Sequence, residues 1–454
     1  MSAPGLIVAA PSSGSGKTVV TLALLRALQR LGLRVGSFKV GPDYIDPAFH
    51  SRASGRACPN LDCWAMRIET LAGLGDRIAD GVDLVLGEGV MGLFDGAADG
   101  RGSTADLASL FDLPVVLVVD PRGMGASAAA LVQGFTRHRD DVEVAGVIFN
   151  RVASEAHAAV LVRACDDAFS QPVLGCLPAD QRLELAARHL GLVQAKELPE
   201  LERFLDGAAD LVAERLDLAR LRRLARPFGL GLYGPPARPL RPLGQRIAVA
   251  SDAAFAFAYP ATLDGWRAAG AEILPFAPLA DQAPDRGADA VFLPGGYPEL
   301  HAAGLASSRR FLDGLGKAAG RGAAVYGECG GLMVLGTHLI DREGKTHAMA
   351  GLLPVATSFE APRLHLGYRR IRLLEPGPLG QAGATFRGHE FHYASLLEVS
   401  DAPPLFEATD ARGQALGPQG ARVGTVFGSF LHLIDRTTEP GDDIAPHRLR
   451  IVEG

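Results

Sequence analysis

Apolar residues in this chain fall into short, strand-length segments separated by amphipathic stretches. Residues 6–10, Val35–Val40, 84–86, 114–119 and 146–149 are mainly apolar, and each is followed by turn residues. Between the first two, residues 19–28 repeat apolar positions at helical spacing. Strand, helix and strand in alternation predict βαβ units and a mostly parallel sheet over residues 1–200. The pattern changes at 201–243. A charged helical stretch (201–224) leads into GPPARPLRPLGQ. Proline that dense cannot continue a helix or enter a central strand, so a helical and proline-rich linker is expected there. Strand-like segments resume at 246–250, 272–275, 290–293 and 323–326, which predicts a second α/β domain over 244–454.

Composition narrows the classes. The 454 residues are 48% hydrophobic and 21% charged, enough for two buried cores. A net charge of −6 argues against bulk attraction to nucleic acid or an anionic membrane. No apolar run is long enough to span a bilayer, and the N-terminus has no basic region of a signal peptide. Five cysteines do not make a disulfide framework, so a cytoplasmic setting is expected.

The first chemical motif is PSSGSGKT (11–18), placed between the first strand and first helix. Small residues let the N–H groups of Ser13, Gly14, Ser15 and Gly16 close around phosphate oxygens. Lys17 would reach the terminal phosphates, and Thr18 would present its hydroxyl to Mg²⁺. Pro11 stands where the usual phosphate-loop pattern has glycine, so the match rests on its strand–loop–helix setting. Two acidic loops follow later strands: FKVGPDYIDP (38–47), with Lys39, Asp43 and Asp46, and GEGVMGLFDG (87–96), with Glu88 and Asp95. Ligands bind beyond the carboxyl ends of such strands. Thr18, Asp46 and Glu88 are the expected Mg²⁺ set, and Lys39 would neutralise a phosphate or a substrate carboxylate. Asp95 suits either a turn or a substrate contact. Asn150 ends a strand and offers an amide to a purine edge. Ser103 or Thr104 reads as a helix cap. Arg188 and His189 are candidates to meet an anionic ligand.

The second motif is AAVYGECGGLMVLG (323–336), a strand, a glycine-rich turn and a helical stretch. This is the pattern of a nucleophile elbow, with Cys329 as nucleophile and the following helix N-terminus expected to lower the thiol pKa. FLPGGYPEL (292–300) supplies an oxyanion hole through the Gly296 N–H. A thiolate needs a base. His432, read at the end of a late apolar strand, has the best context, while His389 and His392 remain candidates for partner or substrate contact. In many Cys/His glutaminases a carboxylate follows the base by two residues. That position is Ile434 here, which leaves the orienting partner of His432 open.

The phrases APSSGSGKT, FKVGPDYIDP, NLDCW, GEGVMGLFDG, GVIFNRV, RHLGLVQA, DAAFAFAYP, PGGYPEL, YGECGGLMVLG and GHEFHY, in this order, resemble the a,c-diamide synthases of corrinoid biosynthesis. The resemblance spans nearly the whole chain. It implies an N-terminal P-loop domain of the dethiobiotin-synthetase type and a C-terminal class I glutamine amidotransferase domain with a flavodoxin-like sheet. It implies ATP with Mg²⁺, glutamine, and hydrogenobyrinic or cobyrinic acid as reactants, and a homodimer. By the same resemblance Asp43, Asp46 and Glu88 serve metal and nucleotide, while Tyr44, Ile45 and Asp95 place the macrocycle. Cys329 matches the glutaminase nucleophile and His432 its base. The nearest alternatives are cobyric acid synthase and the nickel-tetrapyrrole a,c-diamide synthase. A ParA/MinD-like switch ATPase shares the phosphate loop but has no use for a Cys329 elbow.

Overall fold

The computed structural model describes residues 3–184, 200–231, 238–399 and 402–437. Seven parallel strands build the first sheet, in the order Asn60–Leu61, Val35–Val40, Leu84–Glu88, Pro4–Ala9, Val115–Val119, Val144–Val152 and Val173–Pro178. The central strands are buried along almost their whole length. That is why their sequences run apolar without strict alternation: helices cover both faces. Two separate apolar clusters, one per face, make the core. The chain leaves Pro4–Ala9 toward one edge, returns to Leu84–Glu88 beside it, and then continues toward the other edge. The switch point therefore lies at the carboxyl ends of Pro4–Ala9 and Leu84–Glu88, where the phosphate loop and Glu88 stand.

The stretch 201–243, expected as a linker, begins as part of this domain. Helix Leu201–Arg215 packs on helix Lys17–Arg30, with ion pairs Arg26–Glu202 and Arg30–Asp210, and Arg226–Pro227 adds an antiparallel strand beside Pro4–Ala9. The periodicity of 201–224 was a buried helical face (Leu201, Leu205, Ala208, Leu211, Val212) rather than a spacer. Arg188 and His189 lie outside the described residues.

The second half carries a six-stranded sheet in the order Glu272–Phe276, Arg246–Ala250, Ala290–Leu293, Ala324–Glu328, Val426–Ser429 and Ala421–Val423, parallel except for the last strand. Beside it lies an antiparallel sheet that the sequence pattern did not reveal, in which Thr385–His392 pairs with His365–Leu373 on one side and Leu431–Arg436 on the other. Phe430 alone joins Val426–Ser429 of the first sheet to Leu431–Arg436 of the second. His432 therefore stands at the start of a strand, not at its end, where the chain crosses between sheets.

The halves meet through specific contacts. Arg67 binds the buried Asp435 carboxylate through its backbone N–H (2.9 Å) and guanidinium (3.0 and 3.2 Å). Tyr368 Oη donates to Asp62 (2.8 Å) and its ring stacks on Trp64 at 4.4 Å. Tyr259 Oη donates to the Pro42 carbonyl (3.1 Å). Ile434 joins Trp64, Tyr259 and Tyr368 in the same apolar cluster. Among the described residues no helix is long and apolar enough to cross a membrane.

Candidate active site

Gly14 and Gly16 of the phosphate loop take φ of 84° and 85°, which side chains rarely adopt. A Cβ on Gly16 would also lie 2.3 Å from Asn150 Nδ2. Asn150 comes this close because its Nδ2 donates to the Ser15 carbonyl (3.0 Å). Arg151 Nη1 donates to the Gly14 carbonyl (2.7 Å) and is held by Asp120 (2.8 Å). Asn150 thus braces the loop, and its buried Oδ1 has no partner among the described residues. Arg151 and Asp120 were missed, since sequence spacing does not show which strand end touches the loop.

Thr18, Asp46 and Glu88 converge. Thr18 Oγ1 donates to Glu88 Oε1 at 2.5 Å and lies 3.4 Å from Asp46 Oδ2. The Lys39 ammonium sits between the two acids, bonded to Asp46 and to Glu88 at 2.7 Å. It is only 1% exposed, and its charge is paired with these two acids. Burial opposes its charge, but Asp46 and Glu88 hold it above the usual lysine range. Lys17, by contrast, is lowered by burial and by Lys39. His50, not singled out in the sequence, is fully buried and places Nε2 2.7 Å from Glu88 Oε2. Burial favours protonation of Glu88, yet Lys39 and His50 outweigh it and keep the acid ionised. A hydroxyl and two carboxylates, with a cation already seated between the acids, fit Mg²⁺, which takes hard oxygen ligands.

The remaining first-domain candidates divide. Asp43 Oδ1 accepts from Ile45 N (2.7 Å) and Asp46 N (3.2 Å), closing the loop that carries Asp46. Ile45 packs on the domain core. Asp95 accepts from Gly92 N (2.9 Å), a turn contact. Ser103 and Asp106 form a reciprocal capping box at 3.0 Å in both directions. The Tyr44 ring points to the other half, onto His432, Phe257 and Tyr259.

At the second site Cys329 has φ 48° and ψ −105°, between strand Ala324–Glu328 and the short helix Gly330–Leu335. This is the strained elbow the glycines permit. Its backbone N–H is fixed by the Ser429 carbonyl (2.8 Å). The thiol pKa is raised, contrary to the expectation from the helix N-terminus. Burial and Glu299 push it up, and the Gly330 N–H, which favours thiolate, is outweighed. A helix of six residues offers a weak dipole against full desolvation.

His432 is fully buried and shares Gly295 with the nucleophile. A Cβ there would meet His432 Cε1 at 2.4 Å and Cys329 Cβ at 3.4 Å. Gly296 N lies 3.2 Å from where a Cβ on Gly330 would project, so its N–H borders the elbow. Neither ring nitrogen of His432 has a hydrogen-bond partner among the described residues. One carboxylate approaches it: Glu328 Oε2, 3.6 Å from Nδ1. Glu328 Oε1 is fixed by Tyr326 Oη (2.9 Å) and Leu433 N (3.2 Å). The usual spacing falls on position 434, which leaves this partner open in the sequence. Ile434 belongs to the interface core instead, and the acid comes from beside the nucleophile. His389, opposite His432 in the strand pair, is lowered by burial and by His432 to about 3, so it stays neutral. His392 bonds Glu390 (2.9 Å) and the Ala394 carbonyl (3.0 Å), and Arg369 holds the other Glu390 oxygen at 2.7 Å. All five cysteines are free.

Residues 6–193 match the CobQ/CobB/MinD/ParA nucleotide binding domain, and residues 246–439 match the CobB/CobQ-like glutamine amidotransferase domain. The chain is 53% identical over 433 residues to hydrogenobyrinate a,c-diamide synthase of Brucella anthropi, covering 95% of this chain and 98% of that protein. It is 54% identical over 435 residues to the enzyme of that name from Rhodobacter capsulatus, covering 95% and 98%. The Rhizobium meliloti enzyme of that name is 52% identical over 435 residues, covering 95% and 99%.

Proposed function

Since the chain belongs to the hydrogenobyrinate a,c-diamide synthase family and is an amidating ligase, we propose that it converts the a and c carboxylates of hydrogenobyrinic acid to amides, using ATP and glutamine. One observation carries this reading: a phosphate loop with a converging Thr18–Asp46–Glu88 set and a Cys329 elbow with His432 stand in one chain, joined through Tyr44.

A carboxylate is a poor acyl donor because its leaving group would be oxide or hydroxide. In the proposed first step a substrate carboxylate oxygen attacks the γ-phosphorus of ATP, and ADP departs, leaving an acyl phosphate. Lys17 and the loop N–H groups of residues 13–16 hold the phosphates in line, and Asn150 Oδ1 is the acceptor left for the base. Thr18, Asp46 and Glu88 would hold Mg²⁺, which when bound neutralises charge on the phosphates. Asp43 keeps Asp46 in place for this task. At the second site the Cys329 thiol transfers its proton to His432 and attacks the glutamine amide carbon, with the Gly296 N–H facing the oxyanion. The protonated base returns the proton to the departing nitrogen, and ammonia leaves a γ-glutamyl thioester for water to cleave. Burial and Glu299 raise the thiol pKa in the free protein, so the attack needs His432 as the acceptor of the thiol proton. Ammonia then attacks the acyl phosphate carbon and phosphate leaves.

Glu328 supplies the missing orientation of His432. A proton on Nδ1 facing this carboxylate leaves Nε2 to work as the base. Glu328→Gln keeps the shape and removes the charge. Its glutamate release should fall in kcat by roughly 10²-fold, while synthesis from ammonium salts continues. An unchanged glutaminase kcat would remove Glu328 from this role.

The acceptor is tested by steady-state amidation with ATP and glutamine, following product mass. Hydrogenobyrinic acid should gain two amide nitrogens, with a higher kcat/KM than cobyrinic acid. The reverse preference would reassign the substrate to the cobalt-containing macrocycle.

A further inference from the structure

We infer that the Tyr44 ring is the gate between the two sites, closing the ammonia route behind His432 and opening it toward the phosphate site, a role that rests on the glutamine-fed reading above. Tyr44 belongs to the first domain, but its ring neighbours belong to the second. Its centroid lies 4.8 Å from His432, 5.3 Å from Phe257 and 4.3 Å from Tyr259. Phe257 is tied to the thiol site, because its N–H donates to the Gly295 carbonyl at 2.9 Å and its ring meets Tyr297 edge-on at 4.8 Å. Gly295 in turn lies against both Cys329 and His432. The order of contacts from the thiol toward the first domain is therefore Cys329, His432 and Tyr44.

On the far side the backbone of Tyr44 is held in the loop that carries Asp46. Asp43 closes that loop through the Ile45 and Asp46 N–H groups. Asn60 Nδ2 donates to the Gly41 carbonyl (2.8 Å) and the Asp43 carbonyl (2.7 Å), and Tyr259 Oη donates to the Pro42 carbonyl (3.1 Å). A loop fixed at so many points moves as a unit. A shift of Asp46 when nucleotide and metal engage is therefore felt at the Tyr44 ring, two residues away, and so at His432. The ring has a chemical purpose too. Ammonia that meets bulk water at neutral pH takes up a proton and ceases to be a nucleophile, so an apolar plug at this boundary preserves it.

The test measures moles of amide formed per mole of glutamate released, with ATP, Mg²⁺, glutamine and hydrogenobyrinic acid. A purely structural role would lower both amounts together and leave the ratio alone, and a weakened macrocycle contact would be relieved at saturating hydrogenobyrinic acid, where the ratio is therefore measured. Tyr44→Ala should lower the ratio by about threefold or more, and Tyr44→Phe, which keeps the ring, should restore it to the wild-type value. Tyr44→Leu gives the same readout where the alanine variant does not fold, and its ratio should also fall. An unchanged ratio in the alanine or leucine variant overturns the gate alone, and so does a phenylalanine variant that falls as far as alanine. A wild-type enzyme that makes amide from ammonium yet releases no glutamate overturns the glutamine-fed reading and the gate with it.

Discussion

Cys329→Ala should lose glutamine-supported amide synthesis by about 10³-fold or more while synthesis from ammonium salts persists. The substitution removes one sulfur atom at a residue already held at φ 48°. Alanine meets no more strain there than cysteine does, so the elbow survives. The lost packing is small, about 1 kcal/mol for a buried group of this size, and the Sγ contact with the Phe391 carbonyl at 3.7 Å is a weak one. The activity loss is therefore chemical rather than structural. Parallel assays with glutamine and with ammonium chloride separate the possibilities. Loss of both activities would contradict two independent sites, and retention of the glutamine activity would show that Cys329 is not the nucleophile.

The features legible in the sequence share one property: they are local. The phosphate loop and the Cys329 elbow are each a strand, a turn and a helix consecutive in the chain, and periodicity with glycine placement is enough to find them. The parallel sheets follow from repeated βαβ units in the same way. What the sequence hid depends on pairing between distant segments. Glu328 reaches His432 only because Ala324–Glu328 pairs with Val426–Ser429 and the chain then crosses sheets at Phe430. Spacing rules looked instead at Ile434, which the domain interface claims as an apolar contact. His50, on helix Asp46–Ser54, meets Glu88 at the end of a distant strand, and nothing in its neighbourhood (PAFHSR) announces that. The resemblance implies a macrocycle contact for Tyr44, while the direction of its ring depends on how two domains dock, which the sequence does not show. The helix Leu201–Arg215 is legible as a helix, but its charged outer positions mask the buried stripe that makes it part of the first domain rather than a linker. The thiol pKa was misjudged for a related reason: a helix N-terminus is visible in sequence, whereas the burial that outweighs it is not.

Glu88→Gln should produce the complementary pattern, with ATP-dependent synthesis falling by at least about 10²-fold from either nitrogen source while Cys329 continues to release glutamate. Glu88 is the hub of the first site. It accepts from Thr18 and Lys39 on Oε1 and faces His50 on Oε2, and Glu88, Lys39 and His50 are all buried. The neutral amide cannot serve all three. Its oxygen can accept on one side only, so its NH₂ group must confront either the Lys39 ammonium or the His50 ring. Lys39 then keeps Asp46 as its acid, while His50 loses the carboxylate it faces. Removing one partner from a buried charge cluster costs about 3–5 kcal/mol, which urea unfolding of the variant should record as a lower midpoint. That cost is a large share of an ordinary domain's stability, so the surviving glutaminase matters as a control. It shows that the second domain and its interface remain folded while the first site fails. The same rate of ATP-dependent synthesis in the variant and the wild type would remove Glu88, and with it the Thr18–Asp46–Glu88 set, from metal binding.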